Sequence, residues 1–463
     1  MSRLIVASNR VADLEKAAQS GGLAVALGDA LKAMRGLWFG WDGSVADGDA
    51  GTGLKLSQQG PVRMATVPLT RREYEDYYLG FSNSVLWPSF HYRLDLAVVD
   101  QKYVEGYRRV NQRFARMLAA LLEPDDVIWI HDYHLIPLAA ELRSHDVRNP
   151  IGFFLHIPFP APEIFLAVPD HDWLARTMFS YDLIGFQTTV DAANFTRYAV
   201  EHAGGEMIGD DRIRAYGRTT TVKALPIGID AEGFHEMAHT AEADEIIKRL
   251  ERRSMAAAHI IGVDRLDYTK GLPDRMKSFR RLLELYPENR KSVTLMQIAP
   301  PTREDVAAYA EIREELEGLS GAINGAYGDF DWTPVRYVHR SVPRETLAAL
   351  FRGSRVGLVT PLRDGMNLVA KEYVAAQDAE DPGVLVLSRF AGAAEELDAA
   401  EIVNPYDHDE VAQALQRALT MGIDARRERH AALLESVRAR DVSAWRESFL
   451  DALSRAAAEH AGR

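Results

Sequence analysis

His259-Ile260-Ile261-Gly262-Val263 runs straight into Asp264-Arg265-Leu266-Asp267-Tyr268-Thr269-Lys270-Gly271, and a helical pattern opens near Pro273. A short apolar run, a polar loop and an amphipathic stretch, in that order, mark a strand handing over to a helix. The same unit recurs along the chain. Strands are expected at residues 4–7, 127–130, 152–155, 221–225, 259–263, 293–298, 336–338, 356–360 and 384–387. All are rich in Val, Ile and Leu with little polar alternation, as strands covered on both faces are. Helices are expected at residues 23–34, 103–122, 191–202, 273–286, 303–316, 344–351, 368–377 and 410–421. This alternation predicts an α/β protein of doubly wound, Rossmann-like parallel sheets.

The chain has 463 residues, more than one such sheet usually occupies. A seam is expected at residues 228–239, where a strand pattern gives way to a polar, helix-prone stretch before the strand at 259. The expected domains are residues 1–235 and 236–463, with the last helix able to return to the first domain. Two such domains facing each other would set the carboxyl ends of both sheets around one cleft, where open α/β sheets bind ligands.

Composition narrows the chemistry. Lys plus Arg total 54 against 67 Asp plus Glu, a formal charge of −13, which argues against general nucleic-acid binding. Any anionic ligand must be held by a local cluster of basic groups. The cysteine count is 0, which excludes disulfides, thiolate zinc sites, iron–sulfur clusters and cysteine nucleophiles. No run approaches the ~18 apolar residues of a membrane helix. The start, Met1-Ser2-Arg3-Leu4-Ile5-Val6-Ala7-Ser8, is too short in apolar residues for a signal-peptide core. A cytoplasmic protein with no membrane partner is the expectation.

The reactive residue types gather where strands end. The first strand runs into Ser8-Asn9-Arg10, and Gly21-Gly22 stand just before a helix, where glycines allow close backbone approach and free amides face an anion. Tyr77-Tyr78, Asn83, Trp87-Pro88 and His91-Tyr92 form an aromatic and polar cluster, either core or a wall for sugar faces and phosphate. His131-Asp132-Tyr133-His134 and His156-Ile157-Pro158 follow buried strands. His131 and His134 resemble a metal pair, but no acidic ligand stands at a recognised spacing, so Asp132 and His156 are favoured as hydrogen-bonding groups and no metal or cofactor is expected. Arg265 and Lys270 share one strand-to-helix loop, where two cations and helix amides could grip a diphosphate. Thr360-Pro361-Leu362-Arg363-Asp364-Gly365 opens a second such loop, with Glu372 in the following helix suited to two vicinal hydroxyls, and Arg303 follows a further strand end. There is no Gly-x-x-x-x-Gly-Lys-Ser/Thr motif, no Gly-x-Gly-x-x-Gly fingerprint and no Gly-x-Ser-x-Gly elbow.

With these residues in view the chain resembles the bacterial trehalose-6-phosphate synthase family, retaining glycosyltransferases of the two-Rossmann-domain GT-B type in glycosyltransferase family 20. The resemblance is carried by residues 8–10, 21–23, 37–40, 81–92, 129–134, 152–159, 265–271, 297–300, 360–377 and 403–406, in order over nearly the whole chain. It implies transfer of glucose from UDP-glucose to glucose 6-phosphate, with the first domain taking the acceptor and the second the donor. It further implies that Arg10, Tyr78 and Arg303 grip the acceptor phosphate, Asp132 accepts a sugar hydroxyl and Trp87 shapes the pocket. Gly21, Gly22, Arg265, Lys270, the backbone near Val342 and the stretch Leu368-Val369-Ala370-Lys371-Glu372 would meet the donor, Glu372 taking the ribose. His156 and Asp364 would bind hydroxyls of the transferred glucose. Arg265 and Lys270 would stabilise the departing UDP, and the acceptor would attack from the face the nucleotide leaves.

Three relatives of that reading stay open: a glucosylglycerol-phosphate synthase with another phosphorylated acceptor, a catalytically silent regulator, and a fused synthase–phosphatase. The intact acceptor set favours glucose 6-phosphate, and Arg265, Lys270, Asp364 and Glu372 are all present, against a silent member. Phosphate removal is expected to fall to a separate trehalose-6-phosphate phosphatase. A dimer or tetramer is expected from the resemblance.

Overall fold

The structure, a computed structural model, describes residues 3–13, 27–28, 31–32, 34, 36–46, 53–253, 256–302 and 307–461. Two compact units emerge, Met1–Pro226 with Trp445–Arg463, and Ile227–Ala444. The division thus lies ahead of residue 235, and the segment from Trp445 groups with the N-terminal unit.

The N-terminal unit is built on a ten-stranded sheet. Its strands are β1 (Leu4–Arg10), β2 (Leu37–Ala46), β3 (Lys55–Gln59), β4 (Val62–Thr70), β5 (Val127–His131), β6 (Ile151–Phe154), β7 (Leu183–Phe186), β8 (Glu206–Met207), β9 (Arg212–Ala215) and β10 (Arg218–Ala224). The order is β3-β4-β2-β1-β5-β6-β7-β10-β9-β8, parallel from β4 to β10 and antiparallel at both edges. Chain order reverses between β1 and β5, the switch point at which such sheets open a crevice for ligands. β2, β3, β4, β7, β8 and β9 add to the strands expected from sequence. β5, Val-Ile-Trp-Ile-His, is almost wholly buried, and helix Val442–Ala461 lies over its neighbours. Phe449 sits so near the sheet that a Cβ on Gly152 or Gly185 would come within 2.7 and 3.0 Å of its ring.

The segment carrying the aromatic cluster is a π-helix, Tyr74–Leu86. Its entry is fixed by a capping box in which Thr70 and Glu73 satisfy each other's backbone amides. It packs on helix Gln101–Ala119 through two glycines: a Cβ on Gly80 would stand 2.4 Å from Tyr103, and one on Gly106 2.3 Å from Asp76.

The C-terminal unit carries six parallel strands, β11 (Ala258–Val263), β12 (Val293–Ile298), β13 (Val335–Val338), β14 (Val356–Val359), β15 (Val384–Ser388) and β16 (Glu401–Val403). Their order, β13-β12-β11-β14-β15-β16, reverses between β11 and β14. Helices Leu272–Leu285 and Leu368–Ala376 begin directly above that reversal, after the Asp264–Gly271 and Thr360–Asn367 loops.

Candidate active site

At the N-terminal switch point, the end of β1 is tied down from several sides. Trp38 Nε1 donates to Ser8 Oγ at 2.8 Å, and Tyr77 OH donates to Asn9 Oδ1 at 2.8 Å. Arg10 is exposed, its guanidinium carbon 6.0 Å from the centre of the Trp41 ring. Gly43, at φ +88°, passes beneath it, and a Cβ there would fall 2.7 Å from a guanidinium nitrogen. Tyr78 is wedged among rings, 5.2 Å from Trp41, 5.5 Å from Tyr74 and 6.0 Å from His134, stacked on the last two. Trp87 is buried against His91 and Tyr133, and Tyr133 OH donates to Asn83 Oδ1 at 2.8 Å.

Asp132 follows β5 with φ +75° and ψ 165°, a region that only glycine occupies without strain. The strain is held by its neighbours: its amide donates to Phe154 O at 2.8 Å, and its Oδ1 accepts from the His156 amide at 3.2 Å. This turn brings the carboxylate and the His156 loop together at adjacent strand ends. His156 Nε2 lies 3.1 Å from His131 Nδ1, and Gln187 Nε2 lies 3.4 Å from His156 Nδ1. Burial pushes His156 down to about 3 and His131 well below the usual imidazole range, so both rings are neutral at physiological pH. A hydroxyl reaching His156 therefore competes with His131 or Gln187 for a ring nitrogen. Asp191 anchors the end of the same loop by accepting from the Phe159 amide at 2.9 Å.

In the C-terminal unit, Lys270 Nζ pairs with Asp364 Oδ2, and the Asn367 amide donates to the same oxygen at 3.0 Å. Arg265 is exposed on the same loop. Gly271 has φ +63°, and a Cβ there would fall 2.7 Å from Thr360 O, so the two loops meet only because this residue is glycine. Asn367 Oδ1 caps the helix by accepting from Ala370 N at 3.2 Å, leaving Leu368 and Val369 half-buried at the helix start.

Glu372 lies one turn further on, its carboxylate 3.7 Å from Arg344. Burial raises it to about 7 while Arg344 opposes that rise. Val342 is half-buried just ahead of helix Arg344–Arg352. Lys371 turns the other way: its ammonium donates to Ile227 O at 2.8 Å and pairs with Glu396, so only its backbone stands in the donor stretch. Burial lowers its pKa from the ordinary lysine value. Gly21, Gly22 and Arg303 lie outside the described residues. Among the described residues no group of three His, Asp or Glu side chains could hold a metal ion, and no helix is long and apolar enough to cross a membrane.

Several residues in these assemblies escaped the sequence reading: Trp41, Gln187, Arg344 and Asn367. Only Asn367 carried a signal, an Asn at the first position of a helix that follows a glycine turn.

Two α/β units, each built on a mostly parallel sheet whose strand order reverses once with charged residues at the strand ends, have the architecture of nucleotide-sugar glycosyltransferases of the GT-B type. The chain belongs to glycosyltransferase family 20, whose sequence model matches residues 3–455. A trehalose-6-phosphate synthase of Klebsiella pneumoniae is 49% identical over 454 residues, covering 98% of this chain and 95% of that protein. A crystal structure of a UDP-forming α,α-trehalose-phosphate synthase from Burkholderia xenovorans in complex with glucose-6-phosphate is 51% identical, with a TM-score of 0.94, covering 98% of this chain and 100% of that one. An Escherichia coli trehalose-6-phosphate protein bound with UDP-2-fluoro glucose is 47% identical, with a TM-score of 0.92 over 98% of this chain and 99% of that one.

Proposed function

We propose that this chain is a UDP-forming α,α-trehalose-6-phosphate synthase, transferring glucose from UDP-glucose to glucose 6-phosphate with retention. One observation carries the reading: a synthase solved in complex with glucose-6-phosphate matches 98% of this chain at 51% identity.

In this reading the N-terminal unit takes the acceptor. Arg10, Tyr78 and Arg303 hold its phosphate, Asp132 accepts a hydroxyl, and Trp87 bounds the pocket. The C-terminal unit takes the donor. Gly21, Gly22, the backbone near Val342 and the stretch Leu368–Glu372 are assigned to the nucleotide, with Glu372 on the ribose. His156 and Asp364 take hydroxyls of the transferred glucose. The acceptor hydroxyl oxygen bonds to the anomeric carbon as the bond from that carbon to the UDP oxygen breaks. The hydroxyl proton passes to the departing phosphate, and attack from the leaving-group face keeps the α configuration. Arg265, Lys270 and the amides at Leu368 face the growing diphosphate charge, where preorganised donors act most strongly. A cytoplasmic homo-oligomer, a dimer or tetramer, fits the reading, with trehalose serving osmoprotection after a separate phosphatase removes the phosphate.

The test is a matrix of donors against acceptors, with the product linkage read by NMR. UDP release from UDP-glucose only with glucose 6-phosphate, without added divalent metal, and an α,α-linked product are expected. Equal rates with glycerol 3-phosphate, strict Mg²⁺ dependence or an inverted anomeric centre would overturn it.

A further inference from the structure

Arg275 binds no substrate in the reading above, yet its guanidinium is the hub of the C-terminal strand ends. It rises from the first turn of helix Leu272–Leu285 and is 1% exposed. Nη2 donates to Asp264 Oδ2 at 2.8 Å, Nη1 to Gln297 Oε1 at 3.0 Å, and Nε to Thr360 Oγ1 at 3.2 Å. These acceptors stand at the carboxyl ends of β11, β12 and β14, three neighbouring strands that straddle the switch point. Gly262 leaves the room for it: a Cβ there would fall 2.6 Å from Nη1 and 2.8 Å from Gln297 Oε1. The Gln297 amide is occupied as well, donating to Gly262 O and Ile298 O at 3.2 Å each.

A buried ion pair gives little net stability over well-packed apolar side chains. What sets this one apart is where its influence leads. The second oxygen of Asp264 accepts from the Asn367 amide at 3.5 Å, and that amide also donates to Asp364 Oδ2, the partner of Lys270. Asn367 is held at φ +82°, uncommon for a residue with a side chain, while its oxygen caps the next helix. Asp264, Asn367, Asp364 and Lys270 thus form one chain of polar contacts with Arg275 at its root.

We propose that Arg275 is a positioning residue for glycosyl transfer, fixing Asp264 and, through Asn367, the placement of Asp364 and the Lys270 ammonium. The proposal rests on the donor-site role given to Lys270 above. Lysine cannot replace this group, because a point charge has no planar fork to meet three strands at once.

The experiment compares Arg275→Lys, Lys270→Ala and the double variant, measuring kcat, both KM values and thermal unfolding. Arg275→Lys is expected to lose about 10- to 100-fold in kcat at temperatures where it is fully folded, as small misplacements of reacting groups do. The glucose 6-phosphate KM is expected to stay unchanged. Because Arg275 acts through Lys270, the double variant should lose far less than the product of the single losses. Wild-type kcat in folded Arg275→Lys, or losses that multiply, would reduce Arg275 to a structural strut and overturn the proposal. Should Arg275→Lys fail to fold, Thr360→Val removes one acceptor alone. A several-fold fall in kcat with an unchanged acceptor KM then supports the proposal, and an unchanged kcat overturns it. If Lys270→Ala keeps full kcat, the donor-site reading itself has failed, which is a separate outcome from failure at Arg275 alone.

Discussion

Two groups of side chains, one in each unit, are held by different means. In the N-terminal unit Tyr78 is gripped by the rings of Trp41, Tyr74 and His134, and Trp87 by His91 and Tyr133. In the C-terminal unit Lys270, Asp364, Asn367, Asp264 and Arg275 hold one another through charge-assisted hydrogen bonds. Packed rings fix position through shape and tolerate small electrostatic change. A relay of charges fixes position through partners, so one lost member disturbs the rest. A site that binds a neutral sugar face beside one phosphate suits the first design. A site that must stabilise charge as a bond breaks suits the second.

The sharpest way to break the contrast is Lys270→Ala. A loss on the order of 10²–10³ in kcat, with little change in acceptor KM, is expected in steady-state kinetics. A change confined to acceptor KM would assign Lys270 to the wrong substrate. Next comes pH. If ionised Glu372 holds the ribose, its pKa of about 7 makes UDP-glucose binding weaken as pH falls through that value. Calorimetric titration should then give a Kd about tenfold weaker at pH 6 than at pH 8, and Glu372→Gln should flatten the profile. The sign for stability is opposite: a carboxyl raised above its ordinary 4.5 contributes stability that fades as pH rises from there to about 7.

Asp132 tests the ring-held side. Asp132→Gly and Asp132→Ala both remove the carboxylate, and both are expected to raise the acceptor KM. Only glycine relieves the strained backbone, so Asp132→Gly should be more stable than Asp132→Ala by about 1–2 kcal/mol, read as a higher melting temperature. Equal melting temperatures would mean the turn stores no strain. The smallest effect is expected from Gly43→Ala, which crowds the Arg10 guanidinium. A few-fold rise in acceptor KM with an unchanged donor KM would place Arg10 on the acceptor; no rise in the acceptor KM would sever that link.

The same contrast explains what could be read from the sequence. Arg265, Lys270 and Asp364 lie in loops that follow strands announced by apolar runs, and Glu372 lies in the helix after the second of those loops, so they were visible. Arg275 was hidden because its partners come from three separated strands, and no local pattern marks a helical Arg as buried. The π-helix hid Tyr74 in another way: its winding shifts every side chain off the 3.6-residue period by which helices are recognised. β2 was missed because its buried run, Leu-Trp-Phe-Gly-Trp, leads into polar residues with two glycines. The boundary between the units falls just ahead of the 228–239 seam expected from sequence, since Ile227 to Ala231 group with the C-terminal unit.

Helix Val442–Ala461 has a consequence for how the molecule is made. Phe449 fills the space above Gly152 and Gly185, and Trp445 and Phe449 lie against Trp129 in β5. A ribosome delivers β5 and β6 some three hundred residues before it delivers that helix. The C-terminal lobe can close on itself as it emerges, whereas the lobe begun first must keep an apolar strip open throughout and is finished last. Nascent chains stalled before Trp445 should therefore recruit chaperones through residues 129–185, and a stop codon there should cost the N-terminal lobe its solubility rather than only its tail.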